Sequence, residues 1–451
     1  MSANWPIVRL GDYCLKVGSG STPTGGANVY LDKGDFFFIR SQNIYNEGFK
    51  ADGLVFISEE AAEKLKNVSV NENDILLNIT GDSVARVCLA KKKYLPARVN
   101  QHVLIIRPDQ KEFDPRYLNY LLASPKMQSL LLSIAAVGAT RNALTKSMIE
   151  SLDVPKPELK IQKAIANKLI ILDEKIELNT QTNQTLEQIA QAIFKSWFVD
   201  FDPVKAKMTT LAAGGSREEA ERAAMSAISG KDEAALDAMQ HEQPAAYAEL
   251  AATAALFPAA MQASELGDVP EGWEVSKVEK ILTLAYGKAL RKEHRSTGDY
   301  PVYGSGGVNG THNEALVNGP GIIIGRKGTI GSIYWEDNSF FPIDTVFYVN
   351  PCDGIPLSYI YHLLETLGLK NMNTDAAVPG LNRNNVYRLE IVKPSVKVLK
   401  KFNFIQTSIR SKISISIDEN NKLIELRDSL LPKLLSGEID LSNLPDLIET
   451  T

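Results

Sequence analysis

The strongest constraint on this chain is that it repeats itself. Leu144-Thr145-Lys146-Ser147 through Val154-Pro155-Lys156-Pro157 resembles Leu381-Asn382-Arg383-Asn384 through Ile391-Val392-Lys393-Pro394, 237 residues further on. At the same offset, with no gap, Asn183, Leu186, Ile189, Ile193 and Phe194 fall on Asn420, Leu423, Leu426, Leu430 and Leu431. Upstream the match is looser. Trp5-Pro6-Ile7-Val8 resembles Trp273-Glu274-Val275, and Gly34-Asp35-Phe36 resembles Gly298-Asp299-Tyr300. Ile75 to Gly81 resembles Ile322 to Gly328, and Gln101-His102-Val103-Leu104 resembles Asp344-Thr345-Val346-Phe347. One structural unit is therefore used twice. The 451 residues read as two variable domains of about 150 and about 110 residues, each followed by a long helical segment.

The helical segments carry the clearest pattern. In the first, Ile165, Leu169, Leu172, Ile176, Asn179, Asn183, Leu186, Ala190, Ile193 and Trp197 recur at alternating steps of four and three, the seam of a coiled coil. The offset places the second seam at Gln406, Ile409, Ile413, Ser416, Asn420, Leu423, Arg427, Leu430 and Leu434. Alone, either seam would expose a long apolar stripe. Two seams of matched length are expected to pack on each other. Asn183 and Asn420 hold equivalent seam positions, where a polar side chain gives up stability and fixes register. The other reading is a plain helical hairpin core that tolerates polar positions.

In the variable domains, Asp35 to Ile39, Asp74 to Leu77, Val103 to Ile106 and Gly321 to Ile324 are short apolar runs bounded by Gly, Asp and Pro, and they predict strands. Leucine spacing predicts helices over Pro115–Leu132 and Leu357–Leu369, with Pro115 and Pro356 at their starts. The fold class is α+β. Its parts are a first domain at 1–150, a first helical region at 151–202, an alanine-rich insert at 203–270, a second domain at 271–390, and a second helical region with tail at 391–451.

Composition matters through the insert. Twenty of its 68 residues are alanine, and Glu218-Glu219-Ala220-Glu221-Arg222-Ala223-Ala224 suits short surface helices, interrupted at Gly214-Gly215 and Pro244. It reads as a solvated helical spacer. Its 5 Lys+Arg against 10 Asp+Glu account for the whole net charge of −5, while residues 1–150 hold 18 basic and 15 acidic side chains. An acidic total therefore leaves open a nucleic-acid partner met by a local basic surface. At 44% hydrophobic and 23% charged residues, the chain is of the ordinary globular kind. No apolar run nears the ~18–20 residues of a membrane span, so no membrane contact is expected. Met1 to Leu10 lacks the basic start and apolar core of a signal peptide. Cys14, Cys88 and Cys352 are too scattered for a disulfide framework or a zinc site. A reducing cytoplasm is the expected compartment.

No catalytic constellation is present in the sequence. It holds neither a P-loop ending in Lys-Ser/Thr nor a His-Glu-x-x-His helix, and no Gly-x-Ser-x-Gly elbow. His102, His241, His294, His312 and His362 do not pair with His or Cys at ligand spacing, so no metal site is expected. Gly325-Arg326-Lys327-Gly328-Thr329-Ile330-Gly331 could be taken for a dinucleotide fingerprint. The Ser332-Ile333-Tyr334-Trp335 that follows reads as a strand where that motif needs a helix. A tight turn carrying two cations fits better. Glycine lets backbone approach a phosphate, and Arg326 and Lys327 supply charge and guanine contacts; the alternative is a surface hairpin with solvated charges. Tyr303-Gly304-Ser305 through Gly310 is a second polar loop, flanked by Lys288, Arg291, Lys292 and Arg295. In the first half the counterparts are Arg40-Ser41-Gln42-Asn43 and Thr80-Gly81-Asp82-Ser83. Arg, Asn, Gln and Ser read base edges through paired donors and acceptors. The candidate DNA-binding residues are thus Arg40, Gln42, Asn43, Thr80, Asp82, Ser83, Tyr303, Ser305, Arg326, Lys327 and Thr329. Lys91-Lys92-Lys93 reads more readily as a solvated strand end than as a phosphate site.

Over nearly its whole length the chain resembles the specificity subunit of a type I restriction-modification enzyme. The motifs that carry the resemblance are Val154-Pro155-Lys156-Pro157 leading into a helix, Ala192 to Phe201 (AIFKSWFVDF), and Leu426 to Gly437 (LRDSLLPKLLSG). The entry Gly267 to Trp273 (GDVPEGW) and the turn Gly325 to Gly331 are also typical, and the alanine-rich insert departs from the shortest members. The resemblance implies two target-recognition domains, each reading half of a bipartite double-stranded DNA sequence. It implies that the two long helices form an antiparallel coiled coil that spaces these domains and docks two methyltransferase subunits, with restriction subunits joining to cleave. Asn183, Ile193, Trp197, Asn420, Leu423 and Leu430 are the spacer and docking residues this suggests. The chain itself is then not an enzyme and binds no cofactor, with S-adenosylmethionine, ATP and Mg expected on partner subunits. The competing readings are a DNA methyltransferase or nuclease that carries its own recognition domains, and a structural adaptor that ignores DNA sequence.

Overall fold

The computed structural model describes residues 5–136, 142–373, 380–439 and 441. The chain forms two compact units, Met1–Leu178 with Glu419–Thr451, and Asn179–Asp418. Each is built on the same plan.

In the first unit, a central antiparallel sheet of order β2-β11-β8-β9 comprises β2 (Cys14–Ser19), β8 (Ile75–Asn78), β9 (Val87–Leu89) and β11 (Val103–Pro108). The inner strands β8 and β11 have no solvated face, and strand alternation sorts their side chains between two cores. Ile75, Leu77, Leu104 and Ile106 enter one; Leu76, Val103 and Ile105 enter the other. The latter is closed by a second sheet of order β6-β3-β10-β7, made of β3 (Phe36–Ile39), β6 (Val55–Ile57), β7 (Ser69–Val70) and β10 (Ala97–Val99). Phe38, Ile57, Val70 and Val99 belong to that core. A hairpin of β4 (Ile44–Tyr45) with β5 (Gly48–Phe49) and the short α1 (Glu59–Lys64) complete this layer.

Helices close the first core. Asp114 caps α2 (Pro115–Ala123) by accepting from the N–H groups of Arg116 and Tyr117. The single helix expected over 115–132 is two helices. Pro125 has no N–H to donate and holds Ser124 extended, at φ −62° and ψ 146°, so α3 (Pro125–Ala136) starts afresh. After α4 (Lys146–Glu150), β12 (Asp153–Pro155) pairs with β1 (Ile7–Arg9) and leads the chain into α5 (Leu159–Phe198).

The second unit repeats this topology. Its central sheet, order β16-β22-β19-β20, is made of β16 (Leu282–Tyr286), β19 (Gly321–Gly325), β20 (Ile333–Glu336) and β22 (Val346–Pro351). Ile322, Ile324, Phe347 and Val349 enter the helical core. Ile323 and Val346 enter the core closed by β17 (Tyr300–Gly304), β18 (Gly307–His312) and β21 (Phe341–Pro342), in the order β18-β17-β21. Helix α10 (Leu357–Thr366) matches α2: Tyr117 Oη donates to Pro155 O at 3.1 Å, and Tyr359 Oη to Val392 O at 3.1 Å. Then α11 (Arg383–Tyr387) and β23 (Glu390–Lys393), which pairs with β15 (Glu274–Lys277), lead into α12 (Val396–Leu435).

Within each unit a stretch of α5 packs antiparallel on a stretch of α12. In the first, Ile165 and Leu169 share a core with Leu431 and Leu434. Arg427 reaches Asp173 at 2.9 Å, and Lys175 reaches Glu419 at 3.3 Å. In the second, Gln406 Nε2 donates to Ala190 O at 3.4 Å and Arg410 pairs with Glu187 at 2.6 Å. Every seam residue named from the sequence is buried or half-buried.

The insert forms the short surface helices its composition suggests, interrupted at Gly214-Gly215 and Pro244, and adds a small core of its own. Helices α6 (Asp202–Ala212), α7 (Arg217–Ser229), α8 (Glu233–Glu242) and α9 (Pro244–Ala254) precede a hairpin of β13 (Met261–Ser264) and β14 (Gly267–Pro270). Ala224, Met225, Leu236 and Ala254 make a small core of their own. Val204 and Phe257 belong to the main core of the second unit. Lys207 is buried, its ammonium held by Glu221 Oε1 and the Phe257 carbonyl, both at 2.8 Å.

Candidate nucleic-acid interface

Loops gather at one end of each central sheet. At Gly20, after β2, a Cβ would lie 1.8 Å from Val99 O; at Gly287, after β16, it would lie 2.1 Å from Ile343 O. Only glycine lets the chain pass so close. Ile79 N–H donates to His102 O at 2.9 Å, and Leu144 N–H to Ile79 O at 2.8 Å. Arg326 N–H donates to Thr345 O at 2.9 Å, and Leu381 N–H to Arg326 O at 2.9 Å. Thr80 of the first domain and Lys327 of the second therefore occupy the same place.

In the first domain, Thr80 Oγ1 lies 2.6 Å from His102 Nδ1, beside exposed Asp82 and half-buried Ser83. Asn78 Nδ2 donates to Ser41 O at 2.8 Å and ties the Arg40–Asn43 turn to the sheet. Gln42 is exposed, with Nε2 3.3 Å from Gly53 O. The Arg40 guanidinium also binds Gly53 O and lies over Tyr30, 5.2 Å from its ring centre. Asn43 is corrected from a base reader to a loop organiser. It is 0% exposed, accepts from Arg40 N–H at 3.0 Å, and donates to Lys50 O at 2.9 Å and Asp52 O at 3.1 Å. An Asn43→Ala variant should lose about 1–3 kcal/mol, because a fully buried side chain that makes three hydrogen bonds to the loop is removed; thermal unfolding checks this.

In the second domain, the glycine motif is a strand–turn–strand between β19 and β20, as its sequence suggests. At Gly325 a Cβ would meet Thr329 O at 2.1 Å, and Gly328 has φ +81°, so glycine is required at both. Lys327 and Thr329 are exposed. Half-buried Ser305 accepts from Ser332 Oγ at 2.6 Å and donates its N–H to Thr345 Oγ1 at 3.3 Å. Arg326 donates Nη1 to Asp344 O at 2.9 Å, and its guanidinium lies 4.8 Å from the ring centre of Tyr286. Arg383 lies over the same ring at 5.1 Å. Tyr303 is corrected to a core residue. It is 6% exposed, its ring meets Phe340, and its hydroxyl donates to Glu336 at 2.9 Å. Burial first, then Glu336, pushes that hydroxyl above the ordinary tyrosine range.

Of the spacer residues, Asn420 Nδ2 donates to Ile176 O at 3.4 Å, and the Asn183 Oδ1 is buried without a hydrogen-bond partner among the described residues. Ile193, Leu423 and Leu430 are half-buried. Trp197, at 1% exposed, is a core residue of the second unit, so docking of another subunit is not its role. Lys91 and Lys93 both pair with Glu177 of α5.

Residue type alone missed Gln101, His102, Tyr286 and Arg383. The first two lay in the repeat Gln101 to Leu104, and Arg383 in Leu381 to Asn384; a repeated segment at a sheet end was the available signal. Among the described residues, no cluster of three or more His, Cys, Asp or Glu could hold a metal ion. No helix there is long and apolar enough to cross a membrane.

Each unit thus carries a central sheet with polar loops at one end, joined to paired helices. The type I restriction modification DNA specificity domain matches residues 2–188 and 270–425, and the chain belongs to that family, as a specificity subunit. It is 33% identical over 470 residues to the type I restriction enzyme HindI specificity subunit of Haemophilus influenzae, across 97% of this chain and 100% of that protein. It is 24% identical over 469 residues to the MjaIX specificity subunit of Methanocaldococcus jannaschii, across 98% and 95%. The type I restriction-modification S subunit of M. genitalium shares the fold, with a TM-score of 0.54 over 96% of both chains at 18% identity.

Proposed function

We propose that this chain binds a bipartite double-stranded DNA target, one half-site per domain, and scaffolds two methyltransferase subunits and the restriction subunits on its paired helices. The observation that carries this reading is the duplicated loop-bearing sheet end, with Thr80 and Lys327 in equivalent places. Catalysis, S-adenosylmethionine, ATP and Mg then belong to the partner subunits, and the complex works in the cytoplasm. Purified alone, the chain should transfer no methyl group and cut no DNA; turnover comparable to that of the complex would defeat this. Gel shifts on randomised duplexes, with and without methyltransferase subunits, should select a two-part motif. Binding that ignores sequence would favour the adaptor reading instead.

The turn at Arg326 and Lys327 supplies a direct check. Lys327→Ala should weaken binding to all sequences alike and lower the salt slope by about one, as expected for a lost phosphate contact. Arg326→Ala should lower it by a further unit, or relax a single base position if the guanidinium reads a guanine. Unchanged affinity and target in the double variant would return this turn to solvated surface.

A further inference from the structure

We infer that the tip of the turn between β10 and β11 is a specificity-determining position, and that Gln101 there reads an adenine in the major groove. The inference rests on the reading above that this sheet end faces DNA. The turn is rigid. Asn100 N–H donates to Ile39 O at 3.1 Å, Val103 N–H to Asn100 O at 3.2 Å, and His102 N–H to the Asn100 side-chain oxygen at 3.1 Å. That Asx turn fixes the backbone and leaves Gln101 exposed at its tip.

The Gln101 amide is held at both of its polar atoms. Thr22 Oγ1 donates to Oε1, and Nε2 lies 3.1 Å from His102 Nε2, whose ring is anchored in turn by Thr80 Oγ1 at 2.6 Å. An amide carries two N–H donors and two oxygen lone pairs, and these contacts use one of each. One N–H and one lone pair remain on a group that cannot turn over without breaking its anchors. Adenine offers an N7 acceptor beside an N6 amino donor, the complement of that pair. Guanine offers two acceptors, thymine a lone O4 acceptor and cytosine a lone N4 donor, so none of them satisfies both atoms.

The same tip in the second domain is Asp344, also exposed. Its carboxylate only accepts, which fits the cytosine N4 amino group. One position thus carries different base chemistry in the two domains on one backbone frame.

The test is Gln101→Glu in the full chain, assembled with its methyltransferase subunits and offered randomised duplexes. One position of one half-site should switch from adenine to cytosine by about 10- to 100-fold, as for the loss and gain of a base-edge pair. The other half-site should keep its bases. Gln101→Ala should relax the same position without a new preference. An unchanged motif in the Gln101→Glu complex, or equal weakening on every sequence, would overturn the inference while the wild-type complex still selects a two-part target. A wild-type complex without sequence preference would defeat the proposed function itself.

Discussion

Four helix-forming residues inserted after Leu178, with four more after Asp418, should lengthen the gap between half-sites by one or two base pairs and leave the bases within each half unchanged. Four residues add about 6 Å of helix at ~1.5 Å per residue, against ~3.4 Å per base pair. They turn one end by only about 40° relative to the other, since 3.6 residues complete a turn. A matched insertion of four is a stutter, which locally unwinds a coiled coil and keeps its apolar seam facing inward. The site of insertion matters. Near Lys160, where the repeat suggests a junction, the helix is already part of the first domain. Gln162 is buried and accepts from Asp114 N–H at 2.9 Å, Arg116 reaches Asn167 at 2.8 Å, and Tyr120 donates to Asp173 at 2.5 Å. An insertion there would tear the domain from its helix. The methylated motif of a strain carrying the matched pair is the measurement. Altered bases within a half-site, or an unchanged gap at full activity, would show that these helices do not set the spacing.

Trp197→Ala should cost about 3–5 kcal/mol, the range for removing a large buried aromatic side chain. The indole sits in a knot of rings: Phe257 at 5.1 Å and edge-on, Phe402 at 6.1 Å and Phe198 at 6.1 Å. Around them, Phe194, Tyr359 and Trp273 extend the contact into the second domain. The cavity would open where the end of α5, the start of α12 and the insert meet. The expected signature is a lower urea midpoint at unchanged slope. Hydrogen-exchange protection should fall in Asn179–Asp418 and hold at Gln162 to Asp173. A change below 1 kcal/mol would mean that the neighbouring rings close the gap without loss.

The sequence showed some of these features and hid others for identifiable reasons. The seams were legible because a step of four and three puts Ile165, Leu169, Gln406 and Ile413 on one helix face whatever lies around them. The strand–turn–strand at Gly325 was legible because Ser332-Ile333-Tyr334-Trp335 continues an apolar run on its far side. Asn43 was misread because a short amide serves equally well for base edges and for the nearby backbone. Only the fold shows that it turns inward to Lys50 and Asp52. Tyr303 was misread because a polar loop begins one residue after a buried strand position. The two arginines over Tyr286, Arg326 and Arg383, come from segments far from it along the chain, and no local pattern predicts such a meeting.

The first unit is assembled from both ends of the chain, and this sets an order of events on the ribosome. The residues of the second unit, 179–418, emerge as one uninterrupted stretch. The core of the first still lacks Leu431 and Leu434 when that stretch is complete. Translation therefore delivers every residue of the later unit before the last core residues of the earlier one, and until then the core around Ile165 and Leu169 lacks Leu431 and Leu434. A stop codon just after Asp418 would spare every residue of the second unit and remove Leu431 and Leu434 from the core of the first, so a lesion late in the gene should be felt at the half-site read by the beginning of the protein.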